Sequence, residues 1–375
     1  MKEDLVLPAT REAGAGTAQE PLLTVSGLVK HFPVKGGFPI KRTVGAVQAV
    51  DGLDLTVQAG ESFGLVGESG CGKSTTGRLI TRLLEPTAGT ITYRGRDISH
   101  ATRKQLAPIR SEIQMIFQDP YSSLNPRQTV GKIISGPMEI NGIDPAGGRE
   151  ARVRELLEIV GLNPEHFNRF PHEFSGGQRQ RIGVARALAL EPKLIVADEP
   201  VSALDVSIQA QVVNLLQKVQ NELGIAFVFI AHDLAIVRHF SQRVAVMYLG
   251  KIIEVGDRDS IYARPRHPYT HALLSAVPEV TLAEEEAPQR ERIRLAGDVP
   301  SPISPPSGCR FRTRCWKVQD KCAAEEPPLI QLSGNRAGHL TACHFPEEPS
   351  TEARDEDIVL DPALAALEEG KTEAP

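Results

Sequence analysis

Alternating apolar and polar stretches divide most of the 375-residue chain into short strands and amphipathic helices. Residues 45–57 alternate apolar and polar side chains, as expected of a half-buried strand. Further short, mostly apolar runs predict buried strands: SFGLVG, EIQMIF, KLIVAD and IAFVFIA. Helical spacing appears between the strands, at residues 73–84, 129–140, 148–160, 177–190 and 205–222. The order predicts an α/β fold with a mostly parallel sheet covered on both faces.

Changes in composition along the chain predict how it is organised. We expect a disordered tail over residues 1–20 and an α/β domain over 21–256, with a helical insertion at about 120–190. Residues 257–345 are rich in proline and read as a loop-rich extension. Residues 346–375 carry a net charge of −8 against +3 for the rest of the chain, which predicts an acidic, disordered tail.

The overall composition is that of a soluble globular protein, with 41% hydrophobic and 24% charged residues. The N-terminus has no apolar run suited to a signal peptide. No stretch approaches the roughly 18 apolar residues of a membrane span. We therefore expect a cytosolic chain in which the five cysteines are not used for disulfides.

The strongest local motif is GESGCGKST over residues 67–75, which matches G-x-x-x-x-G-K-S/T between a predicted strand and a predicted helix. Its glycines let backbone N–H groups curl around phosphate oxygens, and the helix N-terminus adds a positive dipole. Lys73 would bind the β and γ phosphates, and Ser74 would complete a Mg²⁺ shell. The predicted nucleotide contacts here are Gly67, Glu68, Ser69, Gly70, Cys71, Gly72, Lys73, Ser74 and Thr75.

A second motif, LIVADEP, is an apolar strand that ends in two carboxylates. Asp198 at the strand end suits Mg²⁺, directly or through water. Glu199 is then placed to orient or activate the attacking water. An apolar strand followed by two acids is commonplace alone, but together with the phosphate loop it predicts nucleotide hydrolysis.

The sequence FSGGQRQR at residues 174–181 indicates which class of phosphate-loop protein the chain resembles. A serine and two glycines at a helix N-terminus make an anion pocket of backbone N–H groups. The chain here resembles an ATP-binding cassette (ABC) subunit, an ABC-type P-loop NTPase with a parallel core sheet, an antiparallel β subdomain and a helical subdomain. Ser175, Gly176, Gly177 and Gln178 match its signature, and Phe174 replaces the usual leucine. The resemblance implies that this pocket binds the γ-phosphate of ATP held by a second cassette.

Other residues match the same family in order along the chain. Gln118 resembles the glutamine that senses Mg²⁺ and water, Asp205 resembles the loop aspartate at the cassette dimer interface, and His232 resembles the switch histidine. Phe32 is a candidate for stacking on adenine, although an exposed or core aromatic is a near-equal alternative. The residues that the resemblance implies for catalysis are Lys73, Gln118, Glu199 and His232.

RHPYTHALLSAVP at residues 266–278, with the proline run and cysteines after it, resembles the extension of oligopeptide/dipeptide importer ATPases, in particular the second ATPase of such importers. The resemblance implies a peripheral subunit on the cytoplasmic face of the inner membrane. Its implied partners are a second, different ATPase, two transmembrane permease subunits and, indirectly, an extracytoplasmic binding protein, with no nucleic acid. Nickel or oligosaccharide import, or a non-transport ABC ATPase, are the alternatives.

Four cysteines lie in the extension, at Cys309, Cys315, Cys322 and Cys343. Their spacing is not the tight C-x₂-C pair of most zinc fingers, yet four cysteines in a loop-rich segment suggest a metal as a local staple. The importer resemblance implies a 4Fe–4S cluster on these four residues, with zinc and free thiols as alternatives. Four neighbouring cations are expected to offset the thiolate charge, namely Arg310, Arg312, Arg314 and Lys317.

Overall fold

The computed structural model describes residues 20–36, 42–119, 123–277 and 292–348. Most of the two predicted tails, at residues 1–20 and 346–375, lies outside these ranges. Twelve strands are present in the part of the chain so described. They are β1 Leu23–Gly36, β2 Arg42–Val57, β3 Ser62–Val66, β4 Ala88–Tyr93, β5 Arg96–Asp97, β6 Ile113–Ile116, β7 Leu194–Asp198, β8 Ala226–Ala231, β9 Arg243–Tyr248, β10 Lys251–Asp257, β11 Ile330–Gln331 and β12 Leu340–Thr341.

The α-helices lie between and after these strands. They are α1 Lys73–Ile80, α2 Arg103–Glu112, α3 Val130–Ile140, α4 Gly148–Ile159, α5 Gly176–Leu188, α6 Val206–Leu223, α7 Leu234–Phe240, α8 Arg258–Ala263, α9 Pro268–Ser275 and α10 Asp320–Ala324. Helices α1, α3, α4, α5 and α6 fall on the five stretches whose spacing predicted them.

The strands form two sheets. The larger has the order β11-β12-β10-β9-β3-β8-β7-β6, in which β9, β3, β8, β7 and β6 are parallel and the remaining three are antiparallel. The smaller sheet is antiparallel, with the order β2-β1-β4-β5. Because β3, β7 and β8 are adjacent parallel strands, the residues that follow their carboxyl ends meet at one edge of the sheet.

Alternate residues of the central strands face two separate hydrophobic cores. Ile195 and Phe227 belong to the core that also includes the helices between β6 and β7. Val196 and Val228 belong to the other core, which is shared with the smaller sheet and α1. The sheet is therefore covered on both faces, as predicted, and each buried strand reads as a continuous apolar run.

Strand β1 is not predicted by the sequence analysis. Its register against β2 and β4 shifts on either side of Gly27, whose φ of 55° lies in the left-handed region. Such bulges interrupt the two-residue alternation that identifies a half-buried strand.

The C-terminal extension is attached directly to the larger sheet. Strand β12 pairs with β10, so that Thr341 lies opposite Glu254. The ring of Phe311 packs 5.3 Å, centroid to centroid, from Tyr248 at the end of β9 and 5.3 Å from Tyr269 in α9. The extension thereby approaches the turn that follows β3.

Candidate nucleotide site and thiol cluster

The phosphate loop lies between β3 and α1, and two of its glycines have no room for a side chain. Gly67 has φ 153°, and a Cβ there would lie 2.2 Å from the carbonyl oxygen of Met247. Gly72 has φ 110°, and a Cβ would lie 2.0 Å from the carbonyl oxygen of Ala49. Gly70 instead borders open space. The glycines therefore hold the loop close to β2 and β9 while its tip stays open.

Lys73 is the first residue of α1 and is only 4% exposed. Its ammonium group donates hydrogen bonds to the carbonyl oxygens of Gly67, at 2.7 Å, and Glu68, at 3.0 Å. The cation is thus held inside the loop that the sequence assigned to phosphate. Cys71 in the same loop is 5% exposed, and burial raises the pKa of its thiol, which favours the neutral, unreactive form.

Ser74 and Asp198 meet beside this loop. The Ser74 hydroxyl donates to Oδ1 of Asp198 at 2.8 Å. Asp198 is the last residue of β7 and is 2% exposed, and burial raises the pKa of its carboxyl above the ordinary value. A hydroxyl and a carboxylate at this spacing offer the hard oxygen ligands that Mg²⁺ prefers.

Three other predicted residues also come together. Glu199 follows β7 with φ 44°, a conformation that non-glycine residues seldom adopt. Its Oε2 accepts a hydrogen bond from Nε2 of Gln118 at 2.7 Å and lies 3.5 Å from Nδ1 of His232. The backbone N–H of Glu199 donates to Ile230 in β8, which fixes the turn. A carboxylate, an amide and an imidazole therefore converge next to Asp198.

The FSGGQ segment begins α5. The Ser175 hydroxyl accepts from the backbone N–H of Gln178, and the Gln178 side chain accepts from the backbone N–H of Ser175, at 3.0 Å. This capping box leaves the N–H groups of Gly176 and Gly177 facing out of the first turn. A Cβ on Gly177 would lie 2.4 Å from the Ile208 side chain, so glycine is also needed for the contact of α5 with α6. Among the described residues, Ser175 and Gln178 make no hydrogen bond to the phosphate loop.

The remaining predicted nucleotide residues lie at the borders of the site. Asp205 is the N-cap of α6. Phe32 lies on β1 with 36% of its surface exposed, and the Lys30 ammonium is 5.2 Å from its ring centroid. Ser69 is exposed, and Thr75 is half-buried in α1.

The four cysteines of the extension line one small cavity, together with Arg312 and Lys317. All four are free thiols. Burial raises the pKa of Cys309 to about 11 and that of Cys343 to about 12. The enclosed volume is about 10 Å³, room for about one water molecule. Within the described ranges, no three histidine, cysteine, aspartate or glutamate side chains are arranged to hold a metal ion.

The expectation that four cations offset the thiolate charge is wrong for Arg310 and Arg314. The Arg310 guanidinium donates to Asp51 and Gln48 on β2, and that of Arg314 donates to Glu68 in the phosphate loop. Arginine favours such carboxylate partners because its N–H fork matches their geometry. Only Arg312 and Lys317 of the four line the thiol cavity.

Two family models match the chain. One is described as ABC transporter and covers residues 50–202; the other is described as Oligopeptide/dipeptide transporter, C-terminal region, and covers residues 253–322. The putative oligopeptide transport ATP-binding protein YkfD of Bacillus subtilis is 52% identical over 335 residues, which is 89% of this chain and 98% of that protein. The chain belongs to the ABC transporter ATP-binding proteins.

Within this family, other relatives carry related names. The oligopeptide transport ATP-binding protein AppF of Bacillus subtilis is 50% identical over 87% of this chain and 98% of its own length. The dipeptide transport ATP-binding protein DppF of Haemophilus influenzae is 49% identical over 86% of this chain and 96% of its own length. The resemblance to the oligopeptide/dipeptide ATP-binding proteins is therefore confirmed.

Solved structures agree with the fold. The ABC cassette MJ0796, in a dimeric post-hydrolysis state bound to ADP and Pi, is 28% identical, with a TM-score of 0.56 over 63% of this chain and 98% of that chain. The cbiO1 protein of Clostridium perfringens is 28% identical, with a TM-score of 0.55 over 65% of this chain and 91% of its own. The predicted ABC-type α/β fold is confirmed. Within the described ranges, none of the helices combines the length and apolar composition needed to cross a bilayer.

Sequence reasoning missed two contacts that residues of the extension make with the phosphate loop. The Tyr269 hydroxyl accepts from the backbone N–H of Glu68 at 2.9 Å, and Arg314 pairs with the Glu68 carboxylate. Arg314 lies 246 residues beyond Glu68, so no local pattern could pair them. The contact follows from the place where the extension joins the sheet.

Proposed function

We propose that the chain is the ATP-hydrolysing subunit that energises import of di- or oligopeptides through a multi-subunit ABC transporter. The observation that carries the proposal is the convergence of Gln118, Glu199 and His232 beside the pair formed by Ser74 and Asp198. The peptide substrate is supported by the names of the relatives, since substrate choice is not encoded in these residues.

The roles follow from the chemistry of each group. Lys73 binds the β and γ phosphates in place of the loop carbonyls it contacts here. Ser74 and Asp198, with Gln118, would hold Mg²⁺, which offsets charge on the phosphate oxygens. Glu199 orients and activates the attacking water, and His232 donates toward the γ-phosphate. Gln118 links this carboxylate to the loop that leads into the helical region.

Hydrolysis in this proposal needs two cassettes. The chain supplies one phosphate loop and one Ser175–Gln178 pocket. The outward N–H groups at the start of α5 suit the γ-phosphate of a nucleotide held by a second ATPase subunit, which in turn covers this chain's loop. Asp205 would lie at their interface and Phe32 against the adenine.

The other proposed partners are two transmembrane permease subunits and, indirectly, an extracytoplasmic substrate-binding protein. The chain is then a peripheral subunit on the cytoplasmic face of the cell membrane.

Substitution of Glu199 tests the hydrolytic role. Glu199→Gln keeps the shape of the side chain and its hydrogen bond with Gln118 but removes the base, so we expect kcat for ATP to fall by about 10²-fold or more, with ATP affinity retained. Glu222→Gln, on the exposed side of α6, is the matched control. Unchanged hydrolysis by Glu199→Gln in the assembled transporter contradicts the assignment.

The substrate is tested by uptake in cells that carry the complete transporter. Labelled di- and oligopeptides should accumulate with the wild-type subunit and not with Glu199→Gln. Uptake of nickel or of an oligosaccharide, without peptide uptake, contradicts the peptide assignment and leaves the ATPase assignment in place.

We also propose a metal centre on Cys309, Cys315, Cys322 and Cys343. A 4Fe–4S cluster is the preferred assignment, and zinc is the alternative. Four thiols that line one cavity are a suitable donor set. The cavity of about 10 Å³ is too small for a 4Fe–4S cluster, and no three of these side chains are arranged to hold a metal ion, so the side chains would have to reorient to bind either centre. Because cysteine binds metals as the thiolate, the raised thiol pKa values mean that binding must release protons.

The metal proposal is tested on anaerobically purified full-length protein. About four irons and four sulfides per chain, lost in the Cys309→Ser variant, support the cluster. About one zinc per chain supports the alternative. A sample with neither metal, and with all four thiols titratable, contradicts both.

A further inference from the structure

Glu68, the second residue of the phosphate loop, is held at three points. Its backbone N–H donates to the Tyr269 hydroxyl at 2.9 Å, and its carbonyl accepts from the Lys73 ammonium at 3.0 Å. Its carboxylate accepts two hydrogen bonds from Arg314, at 2.7 and 3.2 Å. Two of these three partners belong to the C-terminal extension. The extension therefore fixes Glu68, whose carbonyl oxygen accepts a hydrogen bond from Lys73.

The contact between Arg314 and Glu68 is well placed to be strong. Both terminal nitrogens of the guanidinium engage the two carboxylate oxygens, the parallel arrangement that gives arginine–carboxylate pairs their strength and direction. The Arg314 side chain is only 8% exposed and that of Glu68 27%, so solvent screens the pair less than a surface ion pair.

The charge of Glu68 is otherwise unfavourable at this position. An acidic side chain in a loop that receives a triphosphate repels the ligand, and the repulsion grows in a partly buried site. Arg314 neutralises this carboxylate and turns it toward the extension. Glu68 would weaken ATP binding if its charge were free, but its contact with Arg314 instead holds the loop in place.

We propose that Arg314 is a positioning residue for ATP binding, which acts by holding the Glu68 carboxylate away from the phosphates. The proposal rests on the proposed function because it takes the loop to bind ATP. It also gives the extension a role in the nucleotide site. Arg314 directly precedes Cys315, which lines the thiol cavity.

The test is titration of the full-length chain with MgATP, with affinity as the readout. Arg314→Ala should raise Kd by about three- to tenfold, the latter equivalent to about 1.4 kcal/mol. Arg314→Lys, which keeps the charge but not the fork, should give a smaller rise. Arg336→Ala is the matched control, because this extension arginine is 56% exposed and lies 3.9 Å from Asp257, far along the chain from the loop.

A second background distinguishes action through Glu68 from general damage. In Glu68→Gln, which carries no charge to neutralise, Arg314→Ala should change Kd by less than about twofold. Added salt should also shrink the effect of Arg314→Ala in the wild-type background, since the repulsion is electrostatic. A purely structural role predicts the same loss of affinity in both backgrounds and at every salt concentration.

The outcomes separate the two proposals. A wild-type chain that does not bind MgATP, or a Lys73→Ala variant that binds it as well as wild type, overturns the proposed function. Wild-type binding with no change in Arg314→Ala, or an equal change in the Glu68→Gln background, overturns the role of Arg314 alone. Circular dichroism of each variant shows that it is folded before its Kd is compared.

Discussion

The nucleotide-binding region and the later part of the C-terminal extension, residues 292–348, hold their shapes by different means. Between β1 and β10, two large apolar cores pack on the faces of a sheet, and strands such as β7 and β8 are buried along their whole length. One of these cores also includes side chains of α8 and α9 in the extension. Residues 292–348 contain one five-residue helix and two two-residue strands. A few buried polar contacts and one aromatic cluster fix this segment instead. Buried apolar surface area stabilises the first region, whereas individual buried contacts, here called anchors, stabilise the second.

Glu254 shows the difference most clearly. It is fully buried in the middle of β10, and it accepts hydrogen bonds from the backbone N–H groups of Arg266 and His267, from the His339 ring and from the Thr341 hydroxyl. These donors belong to the segment before α9 and to the segment that contains β12. One carboxylate thus ties two separate parts of the extension to the sheet.

The largest effect is therefore expected from Glu254→Ala. Removal of this carboxylate takes the acceptor away from four buried donors, which we expect to cost about 3–5 kcal/mol of local stability. The chain's one tryptophan, Trp316, lies in the extension and reports on it by fluorescence. The fluorescence transition should move to lower denaturant than the circular dichroism of the nucleotide-binding region, with which it coincides in wild type.

Glu254→Gln is the matched control for this prediction. The amide keeps one acceptor oxygen but turns an N–H group toward a donor. The loss of local stability should therefore lie between that of wild type, which is zero, and that of Glu254→Ala. If Glu254→Ala leaves the two transitions coincident and unmoved, the extension is not held by this anchor and the contrast between the regions fails.

A smaller effect is expected from Arg310→Ala. The Arg310 side chain is 9% exposed and joins the extension to Asp51 and Gln48 on β2 and to the Leu249 carbonyl. Its loss should cost about 1–3 kcal/mol in the Trp316 transition, because Asp51 keeps His31 at 3.0 Å and Lys251 at 3.6 Å. If Arg310→Ala lowers the stability of the extension as much as Glu254→Ala does, the prediction that Glu254 contributes more than Arg310 is wrong.

This ion pair also gives a pH dependence. Burial alone would raise the pKa of Asp51, but Arg310, Lys251 and His31 together lower it below 3.8. A lowered carboxyl pKa contributes stability that is present above the unfolded-state pKa and is lost as the pH falls through the folded value. The wild-type extension should therefore lose this contribution below about pH 4, and Arg310→Ala should show a weaker loss in the same range.

The same contrast explains what the sequence could predict. Phosphate-loop, strand-end and FSGGQ residues each follow from a pattern of fewer than ten residues, because short turns between buried strands and helices place them. The convergence of Asp198, Glu199 and His232 follows from β7 and β8 being parallel neighbours. The partners of Arg310 and Arg314 depend on where the extension meets the sheet, which no local pattern contains. Because the sequence analysis considered only their charge and their nearness to the cysteines, it wrongly paired Arg310 and Arg314 with the thiols.

The smallest effect is expected in the nucleotide-binding region. Ile195→Val removes one methylene from a fully buried position on β7, where several apolar side chains share the contact, so it should cost about 0.5–1.5 kcal/mol. The circular dichroism and Trp316 transitions should then move together, since the extension cannot stay folded without the sheet that carries it. A Trp316 transition that stays at its wild-type position, while the circular dichroism transition moves, shows instead that the extension folds on its own. That result would make its contacts with β2 and the phosphate loop a docking interface between two units.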